Sequence, residues 1–235
     1  YYSDNPSGEG ISYLLEHEQQ ELVGSAGLNL RSFHVGGQEL TAGIMGDFNV
    51  DPKHRTLFPA FMMQRAVCGQ IKKGLGFGYG FPNRAAEPVL LRAGCKKLAL
   101  QSRYVRPLAP GEYMNRLVKN PVAAVGLAIG GDLFLRGFDR ARSAPCRVVH
   151  CLRWLSDVDP RFDELWERAR GNFPTIGRRD AAALHWRFMQ KPDSDFEIAV
   201  TQRRTSGRLS AYAVIQREDG VAHVLCVRGE AFCAG

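Results

Sequence analysis

Residues 50–60 combine the residue types of a phosphate-binding loop. Asp51 and Pro52 end an apolar, strand-like run, and Arg55 lies in the short connection before a helix-period segment that runs from about residue 60 to residue 73. The first main-chain N–H groups of a helix have no intrahelical partner, and the helix dipole adds partial positive charge there. This order of strand, basic loop and helix start predicts an anion site of the phosphate type, with Arg55 as the counter-charge.

The helix that follows the loop is predicted to be amphipathic. Its apolar stripe comprises Ala60, Met63, Val67 and Ile71, and its outer face is assigned Gln64, Gln70 and Lys72. Such a stripe predicts packing against a sheet.

The segment after this helix alternates glycine with large apolar residues. In residues 74–82 the bulky side chains are Leu75, Phe77, Tyr79 and Phe81. A period of two indicates a strand rather than a nucleotide-binding glycine loop. The bare face of this strand would accommodate either a thin ligand arm or a closely packed helix, and the sequence leaves both open.

The order Val50-Asp51-Pro52-x-x-Arg55-x-x-Phe58-x-Ala60 resembles the coenzyme A pyrophosphate loop of the GNAT N-acetyltransferases. In that family the loop reads Arg or Gln, two residues, Gly, one residue, and Gly or Ala. This chain keeps Arg55 and Ala60 and has Phe58 at the first glycine position. Residues 79–83, 92–95 and 104–108 resemble the fifth strand, fourth helix and sixth strand of GNAT domains, so the likeness covers roughly residues 11–108.

The resemblance implies an α/β fold with a mixed, mostly antiparallel twisted sheet flanked by helices. It implies an acyl-CoA-dependent N-acyltransferase, in which an amine attacks the thioester of acetyl-CoA or another acyl-CoA directly. The acceptor would be a small-molecule or protein amine. In GNAT domains the fifth strand separates from the fourth and the pantetheine arm enters the gap, a position that the glycine-faced strand at 74–80 would match.

The resemblance also assigns site residues. Cofactor contacts are expected from the main chain of Phe48, Asn49 and Val50, at a bulge in the central strand, and from Arg55, Thr56, Leu57, Phe58, Ala60 and Asn83. Candidate catalytic groups are Asp47 as general base, with Glu16 and His17 as runners-up, and Tyr79 and Tyr104 as general acids. Each has a plainer alternative: Asp47 as a carboxylate that holds the sheet, Glu16 and His17 as solvated edge residues, and the tyrosines as packing residues. Were Phe58 to point inward, its bulk would weaken or abolish cofactor binding.

The remaining elements suggest a tandem arrangement. The first part is predicted to have strands at 11–17, 22–30 and 40–50, with a turn at 33–37 between the last two. Helices follow at 60–73 and at 84–93, the second capped by Asn83, and then a strand at 97–105. The later part is predicted to have a strand at 147–152, helices at 161–169 and 180–189, and strands at 197–201, 209–216 and 222–227. The order of the later strands resembles that of the opening ones. We therefore expect an N-terminally incomplete GNAT-like unit at 1–108, a connecting helical segment at 109–145, and a C-terminally incomplete second unit at 146–235, both cut from a longer tandem protein.

Bulk properties restrict the class of protein. The 235 residues are 45% apolar and 23% charged, which is typical of a globular chain, and the net charge of +7 suits an anionic partner. The basic residues are scattered, so nucleic acid is not expected to be that partner. The apolar run at 121–138 is interrupted by Gly130, Gly131 and Asp132 and predicts a packed helix or, alternatively, a membrane-surface helix, not a membrane span.

Cysteine usage points to a reducing, cytoplasmic location. The six cysteines have no metal-ligand spacing with each other or with histidine, so they are expected to be reduced thiols. Two other classes of function stay open at this stage. One is a catalytically degenerate GNAT-like binding or scaffold module, favoured by Phe58, and the other is nucleic-acid binding on the basic surface.

Overall fold

The computed structural model describes residues 4–17, 21–102, 104–105, 121–191, 195–218 and 221–229. These residues divide into two compact units. The first comprises the chain up to Lys97, together with Leu152–Thr201 and the residues from Arg208 onward. The second comprises Leu98–Cys151 and Gln202–Gly207. The division into units at 1–108 and 146–235 with a connecting segment, and the tandem origin of the chain, stay predictions.

The first sheet is built on an antiparallel meander of β1 (Ile11–Glu16), β2 (Leu22–Val35) and β3 (Gln38–Val50). Strand β4 (Phe77–Gly80) adds parallel to β3, as expected for the glycine-faced segment. A short strand that the sequence did not reveal, β6 (Thr175–Gly177), pairs with the end of β2.

Strand β2 is longer than the strand predicted at 22–30, because residues 33–35, which were predicted to form a turn, belong to it. The strand continues to Val35, which pairs with Gln38 across a two-residue turn. Both turn residues, Gly36 and Gly37, have positive φ angles of 55° and 89°. Because this backbone geometry matches the twist of paired strands, the turn fixes the register of the long β2–β3 hairpin.

Helix α1 (Leu57–Gly74) packs on this sheet. It begins three residues before the predicted position, and its buried Met63 and Val67 join a core that includes Leu28. Gly78 of β4 lies directly beneath the helix, since a Cβ atom there would be 2.3 Å from Cδ1 of Ile71. Close helix packing, one of the two interpretations of the glycine face, is therefore correct at this position.

Helix α2 (Glu87–Arg92) is shorter than the helix predicted at 84–93. A turn precedes the helix. In this turn the Asn83 side chain accepts hydrogen bonds from the main-chain N–H groups of Ala85 and Ala86, at 3.1 and 2.9 Å. The helix itself starts only after this turn. Asn83 is therefore the capping residue that the sequence predicted, at a turn rather than at the first helical position.

The strand predicted at 97–105 is wrong for the residues that are described. Residues 95–102 and 104–105 have no regular structure. Leu98 and Leu100 are 92% and 80% exposed, so no sheet face covers the side chains that would have been buried in a strand. Residues 106–108 of the proposed sixth strand, and 109–120 of the connecting segment, lie outside the described residues.

Helix α3 (Pro121–Val149) replaces the shorter helix predicted at 121–138. It extends through Pro145, so the strand predicted at 147–152 begins only at His150. In the part of the chain that the structure describes, no helix combines the length and apolar character needed to cross a membrane.

The second sheet has the order β5 (His150–Leu155), β7 (Phe196–Arg203), β8 (Leu209–Glu218) and β9 (Val221–Gly229). The strands β7 to β9 lie at the predicted positions. The helix predicted at 180–189 is a short α5 (Ala181–Leu184) followed by a π-helical turn at His185–Met189.

Helix α4 (Arg161–Arg170) confirms its prediction and packs against this second sheet. The shared core consists of Phe162, Leu165, Leu184, Phe188, Ile198, Val200, Leu209, Tyr212, Val214 and Cys226. Two sheets with mostly antiparallel pairing and flanking helices confirm the predicted fold class.

Candidate functional site

A cleft opens where β3 and β4 separate. The two parallel strands pair as far as Met45 and Gly80, after which β3 continues to Val50 while the chain leaves β4 towards α2. The cleft has a volume of about 630 Å³, within the range of small-molecule and cofactor sites. It is lined by residues 45–50 of β3, Arg55, Thr56, Ala60 and Gln64 from the loop and α1, and residues 80–83, Ala85, Ala86, Val89 and Leu90 from the β4–α2 side.

A β-bulge lies in β3 at the mouth of the separation. Ser25 pairs with Asn49, whereas Gly27 pairs with Gly46, so β3 contains one residue more than β2 over this interval. Asp47 occupies the bulge with a φ angle of 50°, a left-handed conformation that costs free energy for a residue other than glycine. A bulge interrupts the hydrogen-bond ladder and re-aims the neighbouring residues. Residues 47–49 are thus directed at the cleft, in agreement with the bulge expected at 48–50.

The predicted phosphate loop is held by local hydrogen bonds. The Asp51 carboxylate accepts from the main-chain N–H of Lys53 at 2.8 Å and caps a 3₁₀ turn at Pro52–His54. Arg55 Nε donates to the main-chain oxygen of Val50 at 2.9 Å. This bond fixes the guanidinium group at the end of β3, beside the start of α1.

The start of α1 is available to an anion. Thr56 is the N-cap residue and makes no side-chain hydrogen bond to the helix, and the first turn contains no acidic residue. The main-chain N–H groups of this turn, beginning at Leu57, therefore keep their capacity to bind a ligand. Pro59 occupies the third helical position, where it does not interrupt the helix but removes one of the N–H groups that could bind an anion.

Phe58 does not fill the cleft. Its side chain is 69% exposed, and it is not among the described residues that line the cleft. Phe58 shares its face of α1 with Met62 and Arg65, at i+4 and i+7, and both of these residues are exposed. The bulk that replaces the first glycine of the loop is therefore directed away from the predicted phosphate position.

Gln64 is a site residue that the sequence analysis missed. It was assigned to the outer face of α1, yet it is only 3% exposed and lines the cleft. The signal was present in the spacing, because Ala60, Gln64 and Val67 at i, i+4 and i+7 share one face of a helix. A polar residue on an otherwise apolar face was taken for a solvated one.

The two candidate tyrosines lie outside the described lining of the cleft. Tyr79 alternates with the glycines of β4, so its ring is on the opposite face of the sheet from α1, and its centroid is 5.5 Å from that of Phe33 and 6.0 Å from that of Phe81. Tyr104 is 93% exposed and belongs to no strand. Their roles as general acids stay predictions that this geometry does not support.

The titratable side chains that line the cleft are Asp47 and Arg55. Of the other candidate bases, Glu16 ends β1, and the ring of His17 lies 5.2 Å from that of His54. No group of three or more His, Cys, Asp or Glu side chains among the described residues is arranged to bind a metal ion.

A pair of thiols connects the two helices that flank the cleft. Sγ of Cys68 in α1 lies 3.9 Å from Sγ of Cys95, which follows α2. Burial and the neighbouring Cys95 raise the pKa of the Cys68 thiol to about 11. Cys68 is therefore a neutral packing thiol at physiological pH and is not activated as a nucleophile.

Comparison with known proteins gives a likeness of fold. No protein-family model and no curated protein matches this chain. It is similar in structure to a conserved protein from Enterococcus faecalis V583 described as a probable N-acyltransferase, with a TM-score of 0.59 and 10% identity over 94% of this chain and 48% of that one.

Two further solved structures show weaker similarity. Saccharomyces cerevisiae N-myristoyltransferase with bound myristoyl-CoA matches with a TM-score of 0.47 and 13% identity over 97% of this chain and 53% of that one. Glucosamine-6-phosphate N-acetyltransferase from Arabidopsis thaliana matches with a TM-score of 0.35 and 15% identity over 41% of this chain and 67% of that one.

The chain thus spans about half the length of the Enterococcus and yeast proteins. At these identities the likeness concerns the fold alone. It rests on the Enterococcus protein, whose TM-score is 0.59. Together with the separated parallel strands and the flanking helices, it shows that this chain has a GNAT-like acyl-CoA N-acyltransferase fold.

Proposed function

We propose that the cleft binds an acyl-CoA and that the chain transfers its acyl group to an amine. The proposal rests on one observation. The point where β3 separates from β4 lies beside the start of α1, which has no side-chain cap. Arg55 is fixed next to this helix start. A slot for an extended arm and a site for a diphosphate are thereby adjacent. Coenzyme A carries a diphosphate joined to an extended pantetheine arm, so its two parts match the site and the slot.

The residues present fit the two parts of this ligand. The diphosphate would accept hydrogen bonds from the main-chain N–H groups at the start of α1, with Arg55 supplying positive charge. The pantetheine arm would lie along the edge of β3 beyond Met45, which is no longer paired with β4. A Cβ atom at position 80 would lie 3.2 Å from the main-chain oxygen of Met45, so a larger residue there would crowd the point where the strands separate.

The bulge supplies the groups for acyl transfer. Coenzyme A, when bound, supplies an acyl group already activated as a thioester. At and beside the bulge, main-chain N–H groups of residues 48–50 would donate to the thioester carbonyl oxygen as it gains negative charge. Asp47 lines the same cleft and would accept a proton from the acceptor amine, directly or through water.

Acetyl is the acyl group that we propose first, and longer acyl groups are the alternatives. The test measures thiol release from acetyl-CoA, and from longer acyl-CoA thioesters, in the presence of primary amines of small molecules and peptides. We expect release that depends on both the thioester and the amine. Absence of amine-dependent release from every donor, by a protein that nevertheless binds coenzyme A, would reject the transferase and retain only the binding site.

The degenerate scaffold is the competing function, and Arg55→Ala distinguishes the two. A transferase should lose coenzyme A affinity and turnover together in this variant. A scaffold should keep the binding of its macromolecular partner, because that binding would not use the phosphate loop.

A further inference from the structure

Cys68 and Cys95 are brought together by two separate elements. Cys68 lies in the interior of α1, and its Sγ atom is 3.9 Å from Sγ of Cys95. Cys95 is held at the end of α2, where its main-chain N–H donates to the oxygen of Leu90 at 3.0 Å and Gly94 has a φ angle of 98°. A left-handed residue and a bond of this kind turn the chain back against the helix that it leaves. Regular backbone structure on both sides therefore holds the two thiols in contact.

The two thiols are near enough for a bond to join them. An S–S bond is about 2.05 Å long, so the two sulfur atoms would have to approach by about 2 Å. Rotation about the side-chain bonds moves a sulfur atom by such a distance while the backbone keeps its place. Both residues are partly exposed, in contrast to the buried Cys226. The pair therefore has the proximity and the access that thiol–disulfide exchange requires.

The surroundings of the pair carry positive charge. Lys72, in the last turn of α1, is close enough to the first thiol to stabilise its ionised form, and Lys96 directly follows the second thiol in the chain. Lys97 is paired with Glu87 at 2.6 Å, so these two side chains compensate each other. The remaining charge favours an anionic reaction partner. A small disulfide that carries carboxylates, such as oxidised glutathione, has the required charge.

We propose that Cys68 and Cys95 are a redox-modification site, which a small anionic disulfide converts reversibly into an intramolecular disulfide bond. The bond would join α1 to the end of α2. Because α1 contributes Ala60 and α2 contributes Leu90 to the cleft, two of its walls would be tied together. In a reducing compartment such bonds are transient and follow the ratio of disulfides to thiols.

The reaction consists of two exchange steps. The Cys95 thiolate bonds to one sulfur of oxidised glutathione, whose own S–S bond breaks, and one glutathione thiolate leaves and takes up a proton. Cys68 then loses its proton to solvent and its sulfur bonds to that of Cys95, which releases the second glutathione. Two protein thiols are oxidised and one disulfide is reduced to two thiols, so no further reactant is needed. Burial raises the pKa of the Cys68 thiol to about 11, which suits it to the second, intramolecular step.

The test equilibrates the full, folded chain with mixtures of reduced and oxidised glutathione at pH 8. Acid stops the exchange, and peptide mass spectrometry then locates the bonds. We expect two peptides joined through Cys68 and Cys95, lighter by two hydrogens than the separate reduced peptides. Excess reduced glutathione should convert them back to thiols. This map needs only the wild-type protein, so it gives an answer even if a substituted chain fails to fold.

Thermal unfolding gives a second readout. The bond would close a loop between residues 27 positions apart, which restricts the unfolded chain. We expect the Tm of the oxidised protein to exceed that of the reduced protein by about 5–10 °C. Cys68→Ser and Cys95→Ser should each remove this difference. Cys146→Ser, which replaces an exposed thiol outside the pair, should keep it.

The outcomes decide this inference separately from the proposed function. Thiols at both positions that stay reduced, or that end as separate mixed disulfides with glutathione, would overturn it, as would a bond from either residue to another cysteine. A joined pair whose Tm is equal to or below that of the reduced protein would also overturn it, because the bond would then strain the fold. Titration of the reduced protein with coenzyme A answers the other question, since neither thiol is among the described residues that line the cleft.

Discussion

Ser25 and Asp47 are joined across the bulge of β3, where the Ser25 hydroxyl donates to the main-chain oxygen of Asp47 at 3.3 Å. This contact holds Asp47 by its backbone and leaves its carboxylate at the cleft in a left-handed conformation. The backbone and the side chain of Asp47 therefore have separable roles, which substitutions can test one at a time.

Asp47→Asn should abolish the base and preserve the bulge, because asparagine tolerates positive φ angles nearly as well as aspartate. We expect kcat to fall by about 10²- to 10⁴-fold with coenzyme A affinity unchanged. Asp47→Ala also removes the base but strains the backbone, and should lower the free energy of unfolding by about 1 kcal/mol relative to Asp47→Gly. An unchanged kcat in Asp47→Asn would assign this carboxylate to holding the sheet.

Phe58→Ala should have little effect on binding, because the ring is exposed and does not line the cleft. We expect the coenzyme A affinity to stay within about threefold of the wild type, and the free energy of unfolding to change by less than about 0.5 kcal/mol. Titration calorimetry and denaturant unfolding measure the two quantities. A marked gain in affinity would show that the ring obstructs the phosphate position.

Gly78→Ala should destabilise the fold, because the added Cβ atom would crowd Cδ1 and would be 3.1 Å from Cγ1 of Ile71, so that the Ile71 side chain must shift. Overpacking of this kind costs about 1–3 kcal/mol in the free energy of unfolding. Ile71→Val, which removes the clashing methyl group, should restore part of the loss in the double variant. Gly74→Ala is the matched control, since a Cβ atom there has no neighbour within 4 Å, and it should be neutral or slightly stabilising.

Cys68 should resist alkylation until the pH is well above neutrality. Its raised pKa of about 11 means that the thiolate, the reactive form, is scarce below that pH. Iodoacetamide labelling followed by peptide mass spectrometry should give a rate for Cys68 that keeps rising to about pH 11, whereas the exposed Cys146 serves as the reactive reference. Equal rates for the two thiols at pH 8 would contradict the packed thiol pair.

The raised pKa of Cys68 also predicts how the free energy of unfolding changes with pH. An unfolded chain releases the Cys68 proton at its ordinary pKa, near 9, whereas the folded chain retains that proton up to about pH 11. The contribution of this group to stability is therefore complete below pH 9 and declines as the pH rises between these values. Cys68→Ser should flatten the pH dependence of the free energy of unfolding in that interval.

Local patterns made the phosphate loop and the glycine-faced strand predictable. The stop at Asp51 and Pro52, the basic Arg55 and the period-two alternation of residues 74–80 each depend on neighbours in the sequence. The position of the Phe58 ring depended on where α1 begins. The loop motif does not show on which face of α1 residue 58 lies, and this face decides whether the ring is exposed.

Non-local pairing explains the features that the sequence did not reveal. A bulge was expected at 48–50, but the position of its extra residue, at Asp47, is defined only by the register of β3 against β2. The three-residue β6 exists because it pairs with β2, and the strand predicted near Tyr104 fails because no described strand pairs with it. Gln64 was misassigned because a polar side chain usually marks the solvent face of a helix, and only the tertiary structure shows that this face lines a cleft.

Calorimetric titration of coenzyme A into the full chain, with Arg55→Ala as the comparison, measures whether the cleft binds coenzyme A through the loop before α1. We expect one site per chain with a Kd in the micromolar range, and an affinity about 10- to 100-fold lower in the variant, which lacks a charged donor to the diphosphate. A folded wild-type protein that takes up no coenzyme A at millimolar concentration would contradict the account, as would an affinity that is indifferent to Arg55.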